Sequence, residues 1–223
     1  MGLLDALRDL LGSGAGSAAT RDADADALFD LSTGYITMAA ELGFEPAGEA
    51  GLCFGRVDST DFRDAVGATR DVLAAGAAET GTAAAVGEDS HGYLWVVCRD
   101  DDFEDLLTSV HFAADTLIER GYGDRLLAAV FGFERARERG RARRAVETDA
   151  ADRERARAYW AYSFRRGAYY PFAPRGERER DERLEFKLEA VLDGELELES
   201  DRSRRFPLWP EAGDPHPWPD LVG

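Results

Sequence analysis

Apolar residues along this chain recur with two periods, and the points where the period changes mark its elements. Residues 2–11 (GLLDALRDLL) place Leu3, Leu4, Leu7, Leu10 and Leu11 at i, i+1, i+4, i+7 and i+8, one face of a helix. The following GSGAGSAAT has the composition of a flexible linker, so the main domain is expected to begin near Asp22. Residues 24–42 read as a helix with Leu28, Phe29, Leu31, Ile36, Met38 and Leu42 as core candidates and Gly43 as its stop. Residues 50–57 read as a strand, and Asp58-Ser-Thr-Asp offers capping side chains to a helix over 61–75. Residues 81–87 and 92–99 predict a hairpin closed by Glu88–Gly92. The clearest helix is 101–120. It opens on three aspartates, favoured at the positive helix end, and stops at Gly121. Its apolar face is Phe103, Leu106, Leu107, Val110, Ala114, Leu117 and Ile118.

Leu126–Phe133 reads as a strand. Residues 134–157 then break the pattern, since they hold almost no large apolar residue and read as a charged, solvated insertion. Residues 158–166 and 168–172 follow as a strand and a short extended segment around a Gly167 turn. Residues 177–193 read as a helix with Leu184, Phe186, Leu188, Val191 and Leu192 on its apolar side, and ELELE at 195–199 alternates as an edge strand would. The tail carries Pro207, Pro210, Pro215, Pro217 and Pro219, which exclude regular structure. Its Trp209 and Trp218 predict that it drapes over the domain. Strands that succeed one another without crossover helices imply an antiparallel sheet with helices mainly on one face, an α+β fold. The element order is similar to that of secretion-chaperone-like folds. The expected organisation is an N-terminal amphipathic helix and linker (1–21), a single domain (22–205) and a Pro/Trp-rich tail (206–223).

Charge changes this picture more than any other compositional feature. The 223 residues carry 44 acids against 27 basic residues, for a net charge of −17, and Lys187 is the one lysine among those 27. A dense acidic surface with arginine in place of lysine is the pattern of a protein adapted to molar salt. There the Debye length falls to ~3 Å and self-repulsion is screened. The acidity is uneven: residues 134–183 hold 15 arginines and 10 acids, a net +5, which leaves −22 on the remainder. No apolar run approaches the ~20 residues of a membrane helix, and the N-terminus lacks the basic start and apolar core of a secretory signal. The cytosol is the expected compartment.

The sequence offers no constellation for catalysis, and neither enzyme activity nor a cofactor is expected. His91, His111 and His216 fall in a turn, a helix and the tail, with no HExxH. His111 and Asp115, at i and i+4, are the one pair that could share a metal, a weak candidate without further ligands. Neither GxSxG, a Walker loop nor GxGxxG is present, and Gly12, Gly14 and Gly16 read as linker. Cys53 and Cys98 sit in apolar strand-like stretches and read as buried thiols.

The segment 159–172 interleaves Arg165 and Arg166 with Tyr159, Trp160, Tyr162, Phe164, Tyr169, Tyr170 and Phe172. Such a mixture can bind nucleic acid by stacking. It can equally be cross-strand packing, with the arginines paired to nearby acids. Molar salt favours the second, because phosphate contacts weaken at ~0.9 log units per contact per decade of salt. The leucine stripe at 3–11 suits a protein groove better than lipid, since Asp5, Arg8 and Asp9 leave it net negative and Ala6 replaces the Ser/Thr of a myristoylation signal.

Several stretches in order resemble the PspA-associated protein PspAB family. They are MGLLDAL at 1–7, LFDLSTGYITMAAELGFEPAGEAGLCF at 28–54, HGYLWVV at 91–97, VHFAADTLIERGYGDRLLAAVFGF at 110–133, RRGAYYPFAP at 165–174 and FPLW at 206–209. The likeness spans nearly the whole chain and departs at the charged insertion 134–157. The resemblance implies a small cytosolic protein of the phage-shock membrane-stress response, associated with a PspA-like protein or an HtpX-type membrane metalloprotease and acting by contact. It brings no catalytic residues with it. The contact surfaces expected on this reading are Leu3, Leu4, Leu7, Leu10 and Leu11, and the loop residues Arg165, Arg166, Tyr169, Tyr170 and Phe172.

Overall fold

Capping and alternation place the elements where local chemistry favours them. The computed structural model describes residues 21–135, 156–175, 178–209 and 216–221. The leucine stripe and most of the charged insertion lie outside them. Four α-helices are present among the described residues: α1 (Leu31–Leu42), α2 (Thr60–Thr80), α3 (Phe103–Glu119) and α4 (Glu182–Leu192). The Ser59 hydroxyl accepts from the Phe62 N–H at 3.1 Å and starts α2. Asp102 accepts from the N–H groups of Glu104 and Asp105 and starts α3, and Asp181 accepts from Leu184 and starts α4. Each cap satisfies an amide that the first helical turn leaves without an intrahelical partner. Gly43, in the left-handed region at φ +68°, ends α1 as expected. A 3-10 turn at Asp26–Asp30 precedes α1. None of these helices is long and apolar enough to cross a membrane.

Six strands, β1 (Phe44–Gly55), β2 (Ala83–Glu88), β3 (Tyr93–Arg99), β4 (Leu126–Arg135), β5 (Arg157–Ser163) and β6 (Ala168–Phe172), form one antiparallel sheet in the order β2-β3-β1-β4-β5-β6. The fold is therefore α+β, as the pattern predicts. β1 begins at Phe44 rather than at 50, because the register shift between Pro46 and Ala50 absorbs a proline and a glycine that would interrupt a regular strand. The helix expected from 177 starts at Glu182, since β7 (Pro174–Arg175) and β8 (Glu179–Arg180) pair ahead of it. The ELELE stretch lies along β6: the Tyr169 N–H donates to the Glu197 carbonyl at 2.7 Å and the Glu199 N–H to the Tyr169 carbonyl at 2.8 Å.

Side-chain alternation divides the core in two. Leu52, Phe54, Val96, Phe131, Trp160 and Tyr169 face the helices. Cys53, Trp95, Val97, Val130, Tyr170 and Phe172 face the other way, where Phe206, Leu208 and Trp218 of the tail cover them. A second register shift, at Cys53/Phe54, turns both Leu127 and Ala128 toward the tail side. Two glycines receive the tail. A Cβ on Gly51 would meet Trp218 at 2.9 Å and Trp95 at 3.0 Å, and one on Gly87 would collide with the Leu221 side chain. Arg99 reaches Asp220 at 3.2 Å beside them. The tryptophan expectation thus holds for Trp218, which is buried, and for Trp209, whose ring lies edge-on to Phe172 at 4.9 Å. Three expected core residues are instead on the surface: Phe29 (39% exposed), Ile36 (58%) and Phe186 (61%). Their neighbours Leu28, Leu31, Met38, Leu184 and Leu188 fill the inner faces, and a helix wall has room inward for only one stripe.

Candidate functional site

The β5–β6 hairpin determines what the Arg/aromatic segment offers. Its turn closes by the N–H groups of Arg166 and Gly167 donating to the Ser163 carbonyl at 3.1 and 2.8 Å. Gly167 sits at φ +61°, and a Cβ there would meet the Arg21 guanidinium at 2.9 Å. From this turn the strands carry their rings inward. The Tyr169 hydroxyl lies against the Ala27 and Leu28 carbonyls at 3.0 and 3.2 Å, and Tyr162 packs on Tyr169 at 4.9 Å. Tyr170 and Phe172 lie under the tail, with Arg180 over the Phe172 ring at 5.5 Å. Tyr169, Tyr170 and Phe172 are at most 1% exposed. This corrects their assignment as contact residues: period-2 alternation on a sheet covered on both faces sends every ring into a core. Tyr159, Trp160, Tyr162 and Phe164 are buried too, so the segment has no stacking platform for nucleic acid.

The arginines behave differently. Arg165 and Arg166 are half-buried at the rim. Arg166 pairs with Glu199 at 3.6 Å. Burial lowers the pKa of the Arg165 guanidinium against the opposing charge of Asp124, and its Nε has no hydrogen-bond partner among the described residues. Further along, Glu185 accepts from Arg180 Nε and from the Ala173 N–H, both at 2.9 Å, and Arg205 pairs with Glu189. Arg166 and Arg180 of the basic region, with Arg205 beyond it, tie α4, the 197–199 segment and the base of the tail together. Leu3, Leu4, Leu7, Leu10 and Leu11 lie outside the described residues.

The fold brings the lead-in segment 21–30 against the hairpin turn and the 197–199 segment. Between them is a cleft of 380 Å³ lined by Arg21, Asp24, Asp30, Tyr162, Tyr169 and Glu197, among others. Burial raises the pKa of the Asp30 carboxyl, with the Asp24 charge adding to it. Burial, aided by Asp24, pushes the Tyr162 phenol up to about 12. Among the described residues no group of three or more His, Cys, Asp or Glu is arranged to hold a metal. The His111 Nε2 bonds to Asp26 Oδ1 at 2.9 Å. His216 is buried and stacked on Trp218, and His91 is in the β2–β3 turn. Cys53 and Cys98 are buried free thiols, and burial pushes Cys98 up to about 12. The cleft therefore offers charge and hydrogen bonds without an assembled nucleophile–base pair.

Beside the cleft stands the feature that sequence patterning misplaced. The Phe29 ring lies tilted against His111 at 4.7 Å, and His111 meets Phe112 edge-on at 5.8 Å. Ser32 donates to Glu104 at 2.9 Å, and Tyr35 packs on Phe103 at 4.7 Å. As α1 and its lead-in advance from residue 26 to 35, their α3 partners retreat from 111 to 103, so the two run antiparallel. Their outer side carries Phe29, Ile36 and Phe112, the last 46% exposed, and α4 adds Phe186. Single exposed apolar residues are ordinary; here four large ones are exposed on the helical elements that cover one face of the sheet. Phe112 was legible in one respect, since it falls off the apolar face read for residues 101–120.

A family model described as PspA associated protein B matches residues 1–218. No curated protein and no solved structure matches the chain.

Proposed function

The chain belongs to the PspA-associated protein B family, and from that premise we propose that it is a non-catalytic accessory protein of the membrane-stress response. It acts on the cytosolic side by contact with a PspA-like protein or with an HtpX-type membrane protease. The observation that carries this reading is the family match across nearly the whole chain, whose description is an association with PspA. The helix-layer surface of Phe29, Ile36, Phe112 and Phe186 supports it, because it supplies exposed aromatic and aliphatic anchors of the kind that dominate protein interfaces. Molar salt screens ion pairs while leaving apolar burial in force, so a contact of this composition suits a salt-adapted protein.

Affinity capture of the full chain in molar KCl is the test. The expected outcome is recovery of a PspA-like protein or an HtpX-type protease by the wild-type chain, and loss of that recovery with Phe112→Glu and Phe186→Glu. Recovery of neither partner, with the protein folded, would sink the proposal.

A further inference from the structure

We propose that the cleft between residues 21–30, the hairpin turn and Glu197 binds a basic α-amino acid of the arginine or lysine class. Its walls carry charges of both signs that do not neutralise one another. Arg21, Asp30 and Glu197 line it, and among the described residues their side chains form no ion pair or hydrogen bond. Asp24 uses Oδ1 on the Asp26 and Ala27 N–H groups, at 3.1 and 3.4 Å, and its Oδ2 has no partner among the described residues. Asp26, also on the lining, is held by His111. The floor of the cleft adds a polar group without a partner. Tyr162 is 1% exposed, its ring fixed between Tyr169 at 4.9 Å and Phe164 at 5.1 Å. Its hydroxyl makes no hydrogen bond among the described residues, and the charges that act on it are those of Asp24, Arg21 and Asp30. The neighbouring Tyr169 hydroxyl, by contrast, is satisfied by the Ala27 and Leu28 carbonyls. A hydroxyl withdrawn from water without a partner is costly, and a ligand that reaches the floor removes that cost.

The charges select the ligand class. The carboxylates of Asp24, Asp30 and Glu197 and the single guanidinium of Arg21 are complemented by a molecule with two cationic groups and one carboxylate, which is a dibasic amino acid. The α-carboxylate takes paired N–H···O bonds from Arg21, and the two cationic ends take the three acids. The Tyr162 hydroxyl, able to donate and to accept, bonds to whichever end reaches the floor. Burial and the Asp24 charge both oppose the ionised form of Asp30, and a cation between the two carboxyls removes the second opposition. At 380 Å³ the cleft is at the lower end of the ~300–1,000 Å³ of small-molecule sites. Molar salt leaves such pairing in force, because a Debye length of ~3 Å is no shorter than an N–H···O contact. The inference does not rest on which protein partner the chain serves.

The test titrates L-arginine into the full chain in molar KCl and follows the amide chemical shifts. The expected result is saturable shifts at residues 24–30, 162, 167–169 and 197, with a Kd of about 1 mM or below. Tyr162→Phe keeps the ring, and Asp30→Asn removes no cap bond, because the Asp30 side chain makes none. Glu197→Gln keeps the backbone pairing to Tyr169. Each of the three is expected to weaken arginine binding by about 3–10-fold. Arg21→Gln is expected to weaken arginine by about tenfold while leaving agmatine, which lacks the carboxylate, unchanged. The proposal is overturned by shifts that do not saturate by about 50 mM, or by equal shifts with guanidinium chloride, which would show a general cation effect only. It is overturned equally if agmatine or alanine binds the wild-type chain as tightly as arginine, or if the shifts centre on another part of the fold. Retained affinity in Tyr162→Phe together with Arg21→Gln would also place the ligand elsewhere.

Discussion

The rings of the β5–β6 hairpin and those on the outside of the helix layer are drawn from the same residue types but do opposite work. Trp160, Tyr162, Tyr169, Tyr170 and Phe172 are sealed between helices on one side and the tail on the other. Phe29, in the 3-10 turn ahead of α1, and Phe112 and Phe186, on α3 and α4, stand outward. The set flanked by arginines, readable either as a binding surface or as cross-strand packing, is core. The set spread through ordinary helices looked like core, or was unremarked, and is surface. Density of aromatics along a segment therefore says little about exposure; the number of layers over the segment decides it.

Substitution gives the largest effect. Trp160 is fully buried with its indole N–H directed at the Met38 sulfur, so Trp160→Ala is expected to cost about 3–5 kcal/mol in urea unfolding at molar KCl. A cost below about 1 kcal/mol would mean the ring is not enclosed. Salt acts on the other side of the comparison, on surface carboxylates rather than buried rings. Lowering KCl from 3 M to 0.1 M is expected to drop Tm by roughly 10 °C, at ~2–4 °C per kcal/mol for a chain of this size. An unchanged Tm would remove the salt-adaptation reading.

The tail closure is tested at Gly51. Gly51→Ala forces Trp218 or Trp95 to move, and is expected to cost about 1–3 kcal/mol, as overpacking does. Tryptophan fluorescence should report a wetter indole, and an unaltered spectrum with unaltered stability would show that Trp218 is not seated there. Alkaline titration probes the enclosed set by chemistry. The folded-state pKa of Tyr162 is raised to about 12 by burial, so deprotonation favours the unfolded chain. Its contribution is complete below the ordinary phenol value of about 10 and is lost as pH rises toward 12. Cys98, also pushed up to about 12, begins to act from the ordinary thiol value near 9. The urea midpoint should be flat from pH 7 to about 9 and fall from there to 12. A midpoint constant to pH 12 would contradict the burial. The smallest effect is at the outer layer, where Phe186→Ser should change stability by no more than about 0.5 kcal/mol. A larger loss in the same urea titration would place that ring in a core.

Legibility followed the range of the interaction. The cap at Ser59, the aspartates that open α3 and the stop at Gly43 were readable because each is satisfied within a few residues of itself; the Asp181 cap was not, because the β7–β8 pairing moves the helix start expected at 177. The antiparallel sheet was readable from alternation and from the absence of crossover helices. Phe29 and Ile36 were not, because a helix with apolar residues on more than one side does not say which stripe its neighbours will cover. Arg165 and Arg166 were read at the end of the strand before the Gly167 turn, whereas the strand stops at Ser163 and both lie in the turn; Glu199, the partner of Arg166, lies far along the chain. The cleft joins residues 21–30 to 167–169 and 197, a juxtaposition that no local pattern encodes.

The sequence by itself determined the α+β class, the presence of the helices, the buried thiols and the excess of acid, since each depends on local periodicity or on composition. Tertiary structure alone decided that the hairpin rings are core, that the tail seats Trp218 and Leu221 at two glycines, and that Phe29 and Phe112 meet across His111. Burial is a property of what lies opposite a residue, and what lies opposite is supplied by segments distant in the chain.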